Sequence, residues 1–120
     1  SLSVSAAKPN QAQRKLIGWL VTFDLNEQGS DFQLREGRTR IGREAEKNDV
    51  VIVRQGISDS HALLLYRNGK LLIRDEMSTN GTYVNGEFLE DRIELHDNDI
   101  IQLASVKLKL KLIGSMENEN

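Results

Sequence analysis

Three separated stretches hold the side chains best suited to chemistry. Ser78-Thr79-Asn80-Gly81-Thr82 gathers hydroxyls and an amide around an Asn-Gly pair, and upstream stand Gly42-Arg43 and Ser58-Asp59-Ser60-His61. One chemistry these offer is catalysis, with His61 as general base, since histidine is the commonest such base. The surroundings argue against it. Ser58 lacks the Gly-x-Ser-x-Gly setting of an activated nucleophile, and Asp24, Asp49, Asp59 and Asp75 fall in no nucleophile motif. A metal is not expected either: His96 beside Asp97, Asn98 and Asp99 has too few ligands at suitable spacing. The other chemistry is hydrogen-bond donation, by a guanidinium at Arg43, hydroxyls at Ser58 and Thr79, and an amide at Asn80.

Donors so far apart in sequence need a scaffold that brings loops together. The pattern between them is that of short strands and tight turns. Asn68-Gly69, Asn80-Gly81 and Asn85-Gly86 each read as a hairpin turn, because both central residues of a type I′ turn need positive φ. The first strand is expected over 16–25, with Ile17, Trp19, Val21, Phe23 and Leu25 on the buried face. Further strands are expected at 31–35, 39–42, 50–53, 62–67, 70–75, 82–84, 87–89, 92–95 and 99–103. The last strand is the clearest: Val106, Leu108, Leu110 and Leu112 alternate with Lys107, Lys109 and Lys111, which a strand places on opposite faces. Exposed lysines there also discourage further pairing. No stretch sustains a helical period, so the chain reads as an all-β sandwich or barrel. The intervening segments 43–49, 54–60 and 76–81 are loops, and they carry the donors.

Composition narrows the function classes. With 120 residues the chain can form one domain with a two-layer core. A net charge of −2 and 5% aromatic residues give no broad attraction to nucleic acid or anionic membrane, and no base-stacking surface. There is no cysteine, which removes disulfides and thiol chemistry and fits a reducing, cytoplasmic setting. The apolar runs are too short for a membrane helix, and the N-terminus has no secretory core. Asn80-Gly81-Thr82 matches a glycosylation acceptor, read here as coincidence. Residues 1–15, polar and aperiodic with the single Pro9, are expected to be a disordered linker, and 114–120 a disordered polar tail. Without an initiator Met, the chain reads as a piece of a longer one.

Taken in order, Gly42-Arg43, Ser58-x-x-His61 and Asn80-Gly81 resemble the signature of the forkhead-associated (FHA) domain family. The resemblance spans residues 16–113 and extends to Asn48-Asp49-Val50 and 95–103. It implies an eleven-stranded β-sandwich of two twisted, mainly antiparallel sheets, with loops at one end that bind phosphothreonine peptides and the termini together at the other. It implies phosphopeptide contacts from Arg43, Ser58, Thr79 and Asn80, and structural support of the site by Gly42, His61 and Gly81. It implies a non-enzymatic adaptor with no cofactor. The partner would be a phosphothreonine-containing protein, or a segment of the same parent chain, modified by an upstream Ser/Thr kinase.

The residue types agree with that ligand. A phosphothreonine brings roughly −1.5 to −2 charge and three strong acceptor oxygens. Arg43 can hold two of those oxygens in its planar fork. One residue departs from the family pattern. After the signature serine the family often has Arg, Lys or Asn, whereas this chain has Asp59. A carboxylate about 6 Å from the phosphate would oppose binding by about 2 to 3 kcal/mol at an effective dielectric near 20. The expectation is that Asp59 turns outward, with Arg54 and Lys47 as compensating cations and Asn85 as a further modulator. The rival reading is a degenerate domain of the same fold that serves as a phosphate-independent interaction or oligomerisation module.

Overall fold

The computed structural model describes residues 14–114. Eleven strands follow one another: β1 (Leu16–Thr22), β2 (Ser30–Arg35), β3 (Gly37–Gly42), β4 (Val50–Val51), β5 (Ala62–Arg67), β6 (Lys70–Asp75), β7 (Thr82–Val84), β8 (Glu87–Phe88), β9 (Ile93–Leu95), β10 (Ile100–Leu103) and β11 (Val106–Leu112). They form a six-stranded sheet in the order β2-β1-β11-β10-β7-β8 and a five-stranded sheet in the order β4-β3-β5-β6-β9. All pairings are antiparallel except β3 with β4. The result is the two-sheet sandwich that the resemblance implies.

Alternation builds the core. On β11, Val106, Leu108 and Leu110 are buried while the intervening lysines are exposed, as the sequence predicts. Leu20, Leu34, Ile101 and Leu103 join them from the same sheet, and Ile41, Leu64, Ile73 and Leu95 face them from the other. Burying a Leu or Ile side chain contributes about 1.5–3 kcal/mol, so this shared apolar layer dominates the stability. The turns at Asn68-Gly69 and Asn85-Gly86 have positive φ at both residues (58° and 78°, 53° and 86°), the backbone a type I′ hairpin requires.

The first strand differs from expectation. It ends at Thr22, and its buried face beyond the first turn is Leu20 and Thr22, while Trp19 and Val21 are half-buried and Phe23 is 67% exposed. The cause is a β-bulge. Leu16 pairs Arg35 and Gly18 pairs Leu34, so Ile17 is an extra residue. One extra residue moves every later side chain to the opposite face. A side chain at Gly18 would collide with the Lys111 carbonyl, so glycine permits the close approach to β11. The strand expected at 50–53 is also shorter. It keeps Val50–Val51, and Val53 is 68% exposed.

The linker and tail expectations fall mostly outside the described residues. Arg14 and Lys15 are tied down: the Arg14 carbonyl accepts from Arg35 Nη1 (2.8 Å) and the Lys15 carbonyl from the Glu36 N–H (2.9 Å). Lys15 and Gly114 line one cleft with Gly69 of the β5–β6 turn. That end is opposite the one reached by Gly42, Ala62 and Asp75. No helix of the described residues is long and apolar enough to cross a membrane.

The packing predicts that Leu108→Ala, at a fully buried position in mid-sheet, destabilises the domain by about 2–5 kcal/mol. Lys109→Ala, one residue on and exposed, should change stability by less than about 0.5 kcal/mol. Urea unfolding midpoints of the two variants check both values.

Candidate functional site

At the end of the sandwich reached by Gly42, Ala62 and Asp75, three loops meet. Residues 43–49 leave β3, 52–61 lead into β5, and 76–81 lead from β6 into β7. Each is fastened to the next by hydrogen bonds that use the backbone.

The first two loops are laced together like a continuation of the sheet. The Arg43 N–H donates to the Ser58 carbonyl (3.0 Å) and the Glu44 N–H to the Asp59 carbonyl (3.4 Å). Buried Asn48 reinforces the join, its Nδ2 donating to both the Glu44 carbonyl (2.8 Å) and the Asp59 carbonyl (2.6 Å). Its Oδ1 is buried without a partner among the described residues, a cost the two short donated bonds offset. Gly42 must be glycine here, since a Cβ would overlap the Asp59 carbonyl and the Asn48 side chain.

The second and third loops are joined through His61, which is fully buried. The Ser58 N–H donates to Nδ1 (3.1 Å), so that nitrogen is the acceptor. Nε2 then carries the proton and donates to the Gly81 carbonyl (2.9 Å). Both ring nitrogens are thereby committed to the backbone, which leaves neither to act as a base. Two outer bonds complete the closure: the Thr79 N–H donates to Ser58 Oγ (3.0 Å), and Asn80 Nδ2 donates to the Gly56 carbonyl (2.9 Å).

The third loop is shaped by Asp75. Its carboxylate accepts from the Ser78 hydroxyl (2.6 Å), the Ser78 N–H (2.9 Å) and the Thr82 hydroxyl (2.7 Å). Ser78 Oγ in turn accepts from the Gly81 N–H (2.9 Å). Partial burial pushes the Asp75 pKa up, but the donors from Ser78 and Thr82 outweigh it and hold the carboxyl below its ordinary value. Asn80-Gly81 is not the type I′ turn expected from sequence. Only Gly81 has positive φ (85°), and the Asn80 side chain donates one bond to the Gly56 carbonyl.

Arg43, Ser58, Thr79 and Asn80 are thus brought to one surface, with Ser58 half-buried and the other three exposed. Gly42, His61 and Gly81 lie beneath them. Asp59 departs from expectation. It does not turn outward; its Oδ1 lies 3.2 Å from Arg43 Nη2, both side chains being about half exposed. The backbone pairing of the two loops sets the carboxylate beside the nearest guanidinium. The expected compensating cations are engaged elsewhere: Arg54 Nη2 donates to the Leu25 carbonyl (2.9 Å) and Lys47 pairs with Glu44 (3.7 Å). Asn85 sits at the other end of β7. It donates to Asp99 (3.0 Å) and accepts from the Ile100 N–H (2.9 Å), so it is a turn residue fastened to β10. Among the described residues no group of three or more His, Asp or Glu could hold a metal ion.

Asn48 and Asp75 shape the site yet were not among the sequence candidates. Asn48 had a signal, as a polar amide two residues before the buried Val50. The Asp75-x-x-Ser78 spacing suits a carboxylate that accepts from its own turn.

Comparisons with known proteins agree with this fold. The FHA domain family model matches residues 39–104. An ABC transporter ATP-binding/permease protein of Mycobacterium tuberculosis is 41% identical over 76 residues, which cover 63% of this chain and 9% of that protein. The transcriptional regulatory protein EmbR of the same organism is 32% identical over 76 residues, covering 63% of this chain and 19% of EmbR. The chain therefore spans less than a fifth of the length of these relatives. Among solved structures, an FHA domain from a study of phosphothreonine-dependent FHA domain interactions superposes with a TM-score of 0.75 at 28% identity, covering 82% of this chain and 99% of that one. The FhaA FHA domain complexed with the intracellular domain of Rv3910 gives 0.71 at 30% identity, covering 78% and 99%.

The Asp75 network sets a pH dependence. A carboxyl whose pKa is depressed on folding contributes stability above its unfolded value of about 3.9 and loses it as pH falls through the lower folded value. Asp75→Asn should therefore cost about 1.5–3 kcal/mol at pH 7, with the gap from wild type narrowing below about pH 4. Denaturant unfolding at neutral and acid pH measures both.

Proposed function

The chain belongs to the FHA-domain family, and on that footing we propose that it is a phosphothreonine-peptide-binding adaptor module that recruits its partner after a Ser/Thr kinase has acted. The observation that carries the reading is the convergence of Arg43, Ser58, Thr79 and Asn80 on one exposed surface, from loops far apart in sequence. Arg43 supplies the fixed charge and a fork for two phosphate oxygens. Ser58 Oγ, which accepts from Thr79, still has its own proton to donate. The Thr79 hydroxyl and the remaining amide capacity of Asn80 would serve the phosphate and the peptide backbone.

Charge-assisted hydrogen bonds contribute roughly 1.5–3 kcal/mol each. Three of them, less the cost of association, correspond to an affinity on the order of micromolar. A threonine methyl adds only about 0.8 kcal/mol over serine by transfer, so strict selectivity would need a shaped methyl niche. The reading is non-enzymatic, supported by the full commitment of His61 to backbone groups. The setting proposed is the cytoplasm, where kinase and partner meet. The same surface would hold a phosphothreonine of another protein or one in the same parent chain.

The Arg43–Asp59 pair favours the second reading, a phosphate-independent interaction module, because the key guanidinium already has an anion. We take the pair instead as an exchangeable one. Exposed ion pairs contribute only about 0.2–1 kcal/mol, and a phosphate brings roughly twice the charge of a carboxylate. Phosphate should therefore displace Asp59 from Arg43.

Isothermal titration with a phosphothreonine peptide and its unphosphorylated form tests the reading. Only the phosphorylated form should bind, and Arg43→Ala should weaken it by at least about 1.5 kcal/mol, roughly tenfold. Equal binding of both forms would leave the second reading in place. In the same assay Asp59→Asn should tighten phosphopeptide binding by up to about fivefold by removing the competing anion. Unchanged or weaker binding would show that Asp59 does not compete.

A further inference from the structure

The outer face of the five-stranded sheet carries a charge that the whole chain does not. Side chains alternate across a strand, so Arg38 on β3, Leu63, Leu65 and Arg67 on β5, and Leu72 and Arg74 on β6 share that face. Arg92, just before β9, closes a shallow groove with a leucine floor and arginine walls. Arg40 and Lys70 lie further along the same face. Against these six cations stand Glu94 and Glu76, with Asp49 at the Arg40 corner, in a chain of net charge −2.

The cations are not neutralised within the sheet. Arg74 is paired with Glu76 (2.7 Å), but Arg38, Arg67 and Arg92 have no ion-pair partner among the described residues. Leu63 is only 7% exposed although it points outward. Its cross-strand neighbours are Arg40 and Arg74, whose long apolar stems suit covering a leucine while the charged heads stay in water. Like charges on one sheet face repel, so an anion laid there would relieve a tension as well as add contacts.

We propose that this face is a second docking surface, distinct from the loop end, for an acidic peptide segment carrying an apolar side chain. Guanidinium forks suit carboxylates bidentately, and the leucine floor offers one apolar niche between them. The other anionic partners fit less well. The strongly exposed apolar residues that could insert into a lipid surface, Phe23, Val53, Met77 and Phe88, all lie off this sheet. No aromatic ring on this face is available to stack on a nucleic-acid base. Because β3, β5 and β6 also lead into the loops of the phosphopeptide surface, one partner could occupy both. The linked contacts would then raise avidity without any change at either one.

The test uses a fluorescein-labelled peptide of glutamates around a central leucine, with no phosphate, titrated by anisotropy against the 120-residue chain. Binding should occur, weaken as salt rises, and fall about tenfold or more in a protein carrying Arg38→Glu, Arg67→Glu and Arg92→Glu together. Circular dichroism and an unchanged affinity for a phosphothreonine peptide would show that this variant is folded. Replacement by glutamine at the same three positions should give an intermediate loss. No binding of the acidic peptide, or equal binding by wild type and both variants, would overturn the proposal. So would tighter, variant-sensitive binding of phosphatidylserine vesicles or of a DNA duplex, which would assign the face to a different class of partner. Because the probe lacks phosphate, failure here leaves the phosphothreonine reading untouched, and failure of that reading leaves this one standing.

Discussion

One buried imidazole holds the loop end of this molecule together. His61 has no solvent exposure, and its two ring nitrogens bridge the Ser58 N–H and the Gly81 carbonyl. Its own backbone extends the hydrogen bonding of the sheet just beyond β5, donating to the Ile41 carbonyl (2.8 Å) and accepting from the Glu76 N–H (2.9 Å). One residue therefore ties two loops to each other and to the strands beneath them. Histidine suits the task because its neutral ring offers one acceptor and one donor at opposite ends of a flat body. Removing it would leave two backbone groups buried and unpaired, at roughly 1–3 kcal/mol each.

That brace explains how polar loops stay shaped without a core of their own. Loops at a surface are ordinarily mobile. Here Asn48 fastens the first to the second, His61 the second to the third, and the Asp75 carboxylate folds the third onto itself. With the buried bonds carrying the shape, Arg43, Thr79 and Asn80 remain exposed and the Ser58 hydroxyl keeps a proton to donate. Donors held in place lose little freedom on binding, which is where preorganised sites gain affinity. Asp59 fits the same logic: backbone pairing places it beside Arg43, its carboxylate 3.2 Å from the guanidinium.

Much of this was legible in the chain, and the limits have physical causes. The alternating lysines of β11 and the paired glycine turns at residues 69 and 86 are local signals, and the structure follows them. The ordered motif around Arg43, Ser58, His61 and Asn80 named residues that the structure gathers at one end of the fold. The buried face of β1 was misread because a bulge at Ile17 reverses the alternation, and only the pairing with β2 creates that bulge. The Asn80-Gly81 turn was misread for a similar reason, since Asn80 is held by Gly56, 24 residues away. Asn48 and the direction of Asp59 depend on contacts across loops, which spacing along one strand does not encode. Sequence pattern thus carries the strands and the identity of the donors, while long-range hydrogen bonds decide how the donors are aimed.

The most direct measurement is a proton–nitrogen correlation NMR titration with a phosphothreonine peptide. The account predicts that the largest shifts fall on the amides of Arg43, Ser58, Thr79 and Asn80, with His61 ring resonances moving little because the brace is already formed. Shifts concentrated on the β1–β11 face or at the far end near Gly69, with those amides unmoved, would contradict it.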